Sequence, residues 1–287
     1  MTRQTNRSLF GMILGATLLS ALVLLNPAAA QTQAEGAPQN EAQSQAGNLL
    51  DSIHRFRVRN FVALNKYYNY TTDPDEELAA DILDEVARSA ELMRQIDQRA
   101  GASLTGSEVS DLQDAFASFD EQMQTNIDDM RSSGYPDLRL LSQMANQAQA
   151  LNTLSDEIYS QVAAQDQTPT DGSVELARKA SVTMAVMVTR YSARSSSSVA
   201  QTFQGAETDQ SLDELANQFE TYLEELRSKS GNEGRMNSLL SDINSKWQFI
   251  RDSYINYDGE NVSFVINRYS NGIMQSLEES IDHLKAA

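Results

Sequence analysis

The residues best suited to chemistry in this sequence form a basic segment inside an acidic chain. Residues 54–59 read His-Arg-Phe-Arg-Val-Arg and Lys66 follows, whereas the whole chain carries 40 Asp and Glu against 22 Lys and Arg. A second basic group lies further along, around Arg178 and Arg190. Guanidinium groups that converge from helix walls can hold a small anion through paired hydrogen bonds. Our candidate ligand-binding residues are therefore Arg55, Arg57, Arg59, Arg178 and Arg190.

The spacing of these arginines leaves two interpretations open. Arg55 and Arg59 are four residues apart and would share one face of a helix, while Arg57 would lie on another side. The same cations could instead pair with Asp and Glu side chains on adjacent helices, because acidic residues are abundant. The two interpretations differ in whether the arginines converge on a pocket or point into acidic neighbours.

Other arrangements that support catalysis or metal binding are missing from the sequence. It contains two histidines, His54 and His283, and no cysteine. It also lacks a Glu-x-x-His pair, a haem-attachment motif and a nucleotide-binding glycine loop. The acidic pair Asp128-Asp129 does not have the ligand spacing of a calcium loop. We therefore expect no metal, no cofactor and no enzymatic activity.

Residues 1–30 have the three-part composition of a secretory signal peptide. Arg3 and Arg7 form a cationic start, an apolar run spans 9–25, and small residues up to Ala30 form a cleavage site before Gln31. The apolar run is at the lower end of membrane-spanning length, so a retained anchor stays open as the alternative. We expect residues 1–30 to be removed on export, which would place the mature protein in the bacterial periplasm.

The charge and the cysteine count narrow the range of partners. A formal net charge of −18 disfavours binding to nucleic acid and to anionic membrane surfaces. With no cysteine the fold has no disulfides, so its own hydrophobic core must stabilise it. We expect no nucleic-acid partner, and the sequence leaves open whether the protein is a homo-oligomer.

The rest of the sequence predicts an all-α protein. Residues 31–48 are rich in Gln, Ala, Glu, Gly and Ser, which predicts a flexible linker. From Leu49 onward apolar residues recur at helical spacing, for example from Leu212 through Phe219 to Leu226. We predict eight helices, at 49–71, 74–99, 106–132, 136–165, 172–204, 209–229, 232–255 and 259–285. Long helices joined by short connections indicate antiparallel helical bundles.

The two halves of the chain also resemble each other weakly. At one constant offset, Ile53, Arg55 and Tyr68 align with Leu176, Arg178 and Tyr191. This alignment predicts two tandem four-helix units, at 49–166 and 172–287. The alternative is that two amphipathic helical segments align this well by chance.

The second half resembles a known family. The residues that carry the resemblance are Ala177-Arg178-Lys179, Tyr191, Phe219, Leu223, Leu226 and Trp247-x-Phe249, followed by a closing helix rich in Asn, Ser and Leu. At these positions the chain resembles the PilJ/NarX-type periplasmic helical sensor domain, a four-helix module of type IV pilus chemotaxis transducers and nitrate sensors. The resemblance implies a four-helix fold that senses a small ligand.

The chain departs from that family in the ligand motif. Members carry a Gly-Arg-x-Arg-Met-Leu-Ser-Gln-like motif on their first helix, of which this chain keeps Arg55-x-Arg57 in one half and Arg178 alone in the other. We therefore do not expect nitrate recognition. No signalling module follows the helical segments in the sequence, so we expect the protein to act with a membrane partner.

These features predict an exported helical-bundle binding module. The leading hypothesis is a sensor-like periplasmic protein that binds a small, anionic ligand between helices and passes its state to a membrane or envelope protein. The alternative is a structural or adaptor protein of the cell envelope that binds another protein through its helical faces. In that case the arginines would only form salt bridges.

Overall fold

The described part of the protein is built from long helices. The computed structural model describes residues 37–101, 103–165, 171–196, 210–230, 234–256 and 262–286, and the predicted signal peptide 1–30 lies outside them. Over these ranges the protein is all-α, as predicted, and has no strand. Its helices are α1 (Ala37–Thr72), α2 (Glu76–Ala100), α3 (Gly106–Ser133), α4 (Leu138–Gln165), α5 (Gly172–Ser196), α6 (Leu212–Ser230), α7 (Gly234–Ile255) and α8 (Ser263–Ala286). None of these helices has an 18-residue stretch apolar enough to cross a membrane.

Local sequence signals set several of the helix ends. Asp75 precedes α2 and its carboxylate accepts a hydrogen bond from the Leu78 N–H at 3.3 Å. A capping box opens α3: the Thr105 hydroxyl accepts from the Glu108 N–H at 3.3 Å, and the Thr105 N–H donates to the Glu108 carboxylate at 2.6 Å. α3 ends at Gly134, whose φ of 78° is the left-handed conformation that terminates helices.

The first helix begins earlier than the sequence pattern predicts. We predicted a linker over 31–48, but α1 already begins at Ala37. The prediction was wrong over 37–48 because it considered only whether the segment could be buried. Ala, Gln and Glu are strong helix formers, so the segment can extend a helix whose buried part begins at Leu49. Residues 31–36, and the part of the predicted fifth helix beyond Ser196, lie outside the described residues.

Buried apolar side chains form two hydrophobic cores. The first draws on α1 to α4 and includes the fully buried Phe56, Tyr67 and Phe119. The second draws mainly on α5 to α8 and includes the fully buried Phe219, Trp247 and Tyr254. Because Phe61 of α1 belongs to the second core and Ala193 of α5 to the first, the division into units 49–166 and 172–287 stays a prediction. The internal repeat itself stays a prediction.

Helix α1 also contacts the helices of the second core. The Thr189 hydroxyl on α5 donates to the Phe61 carbonyl at 3.0 Å, and the Arg178 guanidinium lies 3.4 Å from the Asp51 carboxylate. These contacts follow the same order along both helices, so α1 and α5 run parallel. Phe61 packs in the second core and Ala193 of α5 packs in the first, so side chains cross the junction in both directions.

Candidate ligand-binding site

A cavity of about 400 Å³ lies between α1, α4, α5 and α6. Small-molecule sites typically have volumes of about 300–1,000 Å³, so the cavity is large enough for a small metabolite. Its polar lining residues include His54, Arg57, Asn152, Asp156, Tyr159, Glu175, Arg178, Lys179, Gln218 and Tyr222, and its apolar ones Val182, Val186 and Leu215.

Helical spacing explains why α5 contributes the most to this lining. Glu175, Arg178, Val182 and Val186 are three or four residues apart, which places them on one face of the helix. Lys179 lies beside them on the same wall. The charged residues come from the first turns of α5 and the valines from later turns. The part of the lining that α5 supplies is therefore charged in its first turns and apolar in its later ones.

Arg178 is the most deeply buried cation of the site. Only 4% of its side chain is exposed, and its guanidinium donates to the Tyr159 hydroxyl at 3.1 Å and to the Glu175 carboxylate at 3.0 Å. Burial alone would lower the pKa of Arg178, but Tyr159, Glu175 and Asp51 outweigh that effect and raise it. The group is therefore a fixed positive charge. Its Nε has no hydrogen-bond partner among the described residues.

Arg57 forms the corresponding cation on α1. One of its terminal nitrogens lies 2.8 Å from the Asp156 carboxylate, and its Nε donates to the Asn152 side-chain oxygen at 3.2 Å. Burial lowers the pKa of Arg57, and the charge and hydrogen bond of Asp156 counteract part of this effect. Both partners belong to α4, so Arg57 joins the first helix to the fourth at the edge of the cavity.

His54 is a buried polar residue of the cavity wall whose hydrogen bonding is incomplete. The residue is 2% exposed, and its Nε2 has no hydrogen-bond partner in the described part of the chain. Burial lowers the pKa of His54 to about 3, and the neighbouring charges of Arg178, Arg57 and Arg55 act in the same direction. At neutral pH the imidazole is therefore neutral, with one donor nitrogen and one acceptor nitrogen.

Two further charged residues of the lining differ in how they are paired. Asp156 has 57% of its side chain exposed and pairs with Arg57 through one oxygen. Lys179 is exposed on the surface of α5 and makes no ion pair within the described ranges. Among the residues that the structure describes, Lys179 is thus a lining cation without a carboxylate partner.

The other three predicted arginines do not line the cavity. Arg55 contacts Glu278 at 2.9 Å and Asp282 at 2.8 Å, both on α8. Arg59 pairs instead with Glu85 of α2 at 2.7 Å. Arg55 and Arg59 lie four residues apart in one helix, as predicted, but their side chains pair with carboxylates on different helices. These two arginines follow the second interpretation, in which the cations pair with acidic neighbours.

Arg190 also lies outside the cavity lining. Its guanidinium donates to the Gln210 carbonyl at 2.7 Å, at the connection before α6, and burial lowers its pKa. Of the five predicted residues, the structure brings Arg57 and Arg178 together at the cavity. The arginines therefore do not converge as one group.

Sequence reasoning did not select several of the lining residues. His54 was examined only as a metal or catalytic ligand, although it opens the basic segment 54–59. Its position one turn before Arg57 was the available signal, since residues three apart lie on one helix face. Asn152, Asp156 and Tyr159 carried no usable signal, because only the packing of α4 against α1 and α5 places them here.

No group of three or more His, Cys, Asp or Glu side chains that could hold a metal ion occurs within the described ranges. Comparisons with protein-family models, with curated proteins and with solved structures found no match to this chain. The resemblance to the PilJ/NarX-type sensor domain therefore stays a prediction from the residues that carry it.

Proposed function

We propose that this protein is a non-enzymatic, sensor-like binding module of the bacterial periplasm. It binds a small polar ligand with a negatively charged group in the cavity between α1, α4, α5 and α6. It then passes its bound state to a membrane or envelope protein. The observation that carries this proposal is the cavity of about 400 Å³ that three cationic residues line: Arg57, Arg178 and Lys179.

The charge of the lining supports a ligand with a negatively charged group. Arg57 and Arg178 are partly neutralised by Asp156 and Glu175, which line the same cavity. Lys179 is exposed and makes no ion pair within the described ranges, so it adds a positive charge that a ligand can contact.

The connection to a partner follows from the helices that the cavity joins. The first core contributes α1 and α4, and the second core contributes α5 and α6. A ligand that contacts all four helices stabilises one arrangement of the two cores. A partner protein that contacts this arrangement could then distinguish the bound from the unbound state without any chemical change in the ligand.

The test is thermal unfolding of the purified protein with a panel of small anions and metabolites, comparing wild type with Arg57→Gln and Arg55→Gln. A ligand at 100 times its Kd stabilises the folded state by about 2.7 kcal/mol. For a protein of this size that corresponds to a rise in Tm of roughly 5–10 °C. We expect a saturable rise that Arg57→Gln reduces and that Arg55→Gln retains, because only Arg57 lines the cavity.

The same experiment addresses the second candidate function, a structural or adaptor role. The observation in its favour is the set of exposed aromatic rings at one end of α7 and α8: Phe249 is 63% and Phe264 is 78% exposed. If no compound raises the Tm and both arginine variants only lower it, the ligand-binding proposal is wrong. The adaptor role, with binding to another envelope protein through helical faces, would then be favoured.

A further inference from the structure

The cavity contains a cation and an anion that face the same space without pairing with each other. Lys179 on α5 and Asp156 on α4 both line it, yet no ion pair joins them. Here both remain accessible from the cavity.

Asp156 has capacity for a second partner. Its Oδ1 lies 2.8 Å from a terminal nitrogen of Arg57, and no contact within the described ranges involves its Oδ2. A carboxylate has about four acceptor positions, so one ion pair leaves room for a donor from a ligand. With 57% of the side chain exposed, that donor can approach from the cavity.

The cavity lining carries charges of both signs. Arg57, Arg178 and Lys179 supply positive charge, and Asp156 and Glu175 supply negative charge. The lining therefore offers a partner to each end of a ligand that carries one positive and one negative group.

We propose that the ligand is a zwitterion of the free amino-acid class. Its carboxylate contacts Lys179, and its ammonium group contacts Asp156. Its aliphatic part packs against Val182 and Leu215 in the cavity wall. This inference rests on the proposed function, because it names the ligand class of the same cavity.

The test measures binding of matched probes by calorimetry and by Tm. The probes are a panel of free L-amino acids, including L-valine. Each amino acid is compared with the carboxylate that lacks its amino group and with the amine that lacks its carboxylate. For L-valine these are 3-methylbutanoate and 2-methylpropylamine. We expect at least one amino acid to bind at least about tenfold more tightly than either of its single-charge analogues, since a charged hydrogen bond contributes about 1.5–3 kcal/mol.

The variants Lys179→Gln and Asp156→Asn remove one charge each and nearly keep the side-chain shape. We expect each to weaken binding of the amino acid about tenfold. The controls Lys229→Gln on α6 and Glu157→Gln on α4 should leave binding unchanged, because neither residue lines the cavity.

The outcomes separate this inference from the proposed function. If the carboxylate analogue binds as tightly as the amino acid and Asp156→Asn has no effect, the zwitterion is wrong and an anion site remains. If the amine analogue alone accounts for binding, the zwitterion and the anionic group are both wrong. If no amino acid, carboxylate or other small anion binds, the proposed function fails together with this inference.

Discussion

The basic segment of α1 meets two different surroundings. Towards α8, Arg55 lies within 3.1 Å of three carboxylates, so its charge is neutralised within the fold. Towards the cavity, Arg57 meets one carboxylate and one amide, and the His54 Nε2 meets no partner in the described part of the chain. The difference shows that a run of positive charge does not identify a binding site. What separates the two surroundings is how many carboxylates each arginine meets on the neighbouring helices.

Removing Arg178, which contacts both surroundings, should reduce the free energy of unfolding more than any other change. Arg178 lines the cavity and also contacts Asp51, the carboxylate that pairs with Arg55 and Lys285. We expect Arg178→Met to reduce the free energy of unfolding by about 3 kcal/mol, because it removes the ion-pair partner of Glu175, which keeps only its hydrogen bond from Tyr159, and one partner of Asp51. Urea denaturation measures this loss.

The matched control for that variant is Arg94→Met on α2. Arg94 is mostly exposed and pairs only with Glu91 among the described residues. Exposed pairs of this kind contribute little, so we expect no measurable change in the urea midpoint. If Arg178→Met changed the urea midpoint as little as Arg94→Met, the buried contacts of Arg178 would not stabilise the packing between the two surroundings.

The cavity side should also determine how stability depends on pH. The folded-state pKa of His54 is about 3, below the value of 6.5 expected in the unfolded chain. Between these values the unfolded state binds a proton that the folded state does not, so stability falls as the pH falls. The slope reaches at most about 1.4 kcal/mol per pH unit, and the loss between pH 6.5 and 4.5 is about 2 kcal/mol. We expect His54→Gln to flatten this dependence.

Glu278, on the α8 side, is a control whose effect on the pH dependence of stability has the opposite sign. Burial raises the pKa of Glu278, so its folded state holds a proton more readily and its contribution to stability is lost as the pH rises through the folded pKa. Glu278→Gln should therefore steepen the loss of stability on acidification. Urea midpoints at several pH values test both variants. A His54→Gln slope equal to that of wild type would contradict the assignment of His54 as a buried neutral base.

Much of this fold could be predicted from the sequence, since its signals are local. All eight predicted helices occur, and apart from the start of the first, each described start lies within about four residues of its predicted position. The capping box at Thr105 and the turn at Gly134 act over three or four residues, which a sequence shows directly. The start of α1 was missed because propensity, rather than burial, extends that helix.

The candidate site could be predicted only in part. The sequence marks Arg57 and Arg178 as cations in suitable helices, and both line the cavity. It does not show that Arg55 and Arg59 point away from it, because the direction of a long side chain depends on which carboxylate lies opposite. That pairing depends on the packing of α1 against α2 and α8, which is a property of the tertiary structure.

Glu85 on α2 forms a third surrounding of the basic segment, where we expect a smaller change in the free energy of unfolding. Glu85 has 9% of its side chain exposed and pairs with Arg59 at 2.7 Å and with Lys66 at 3.2 Å. We expect Glu85→Gln to reduce the free energy of unfolding by about 1 kcal/mol, because both cations are partly exposed and regain water. Ligand binding should be unaffected. The nearby Asp84→Asn, at an exposed position, is the control and should leave the urea midpoint unchanged.

The smallest effect at neutral pH is expected on the α8 side. Glu278 pairs with Arg55 at 2.9 Å, but burial and the nearby Asp282 and Asp51 carboxylates raise its pKa. Desolvation and repulsion therefore offset much of its attraction to Arg55, and partial exposure screens what remains. We expect Glu278→Gln to change the free energy of unfolding by less than about 0.5 kcal/mol at pH 7. A loss as large as that of Glu85→Gln would show that Arg55 needs all three of its carboxylates. The α8 side would then hold no surplus of negative charge, and the contrast with the cavity side would be wrong.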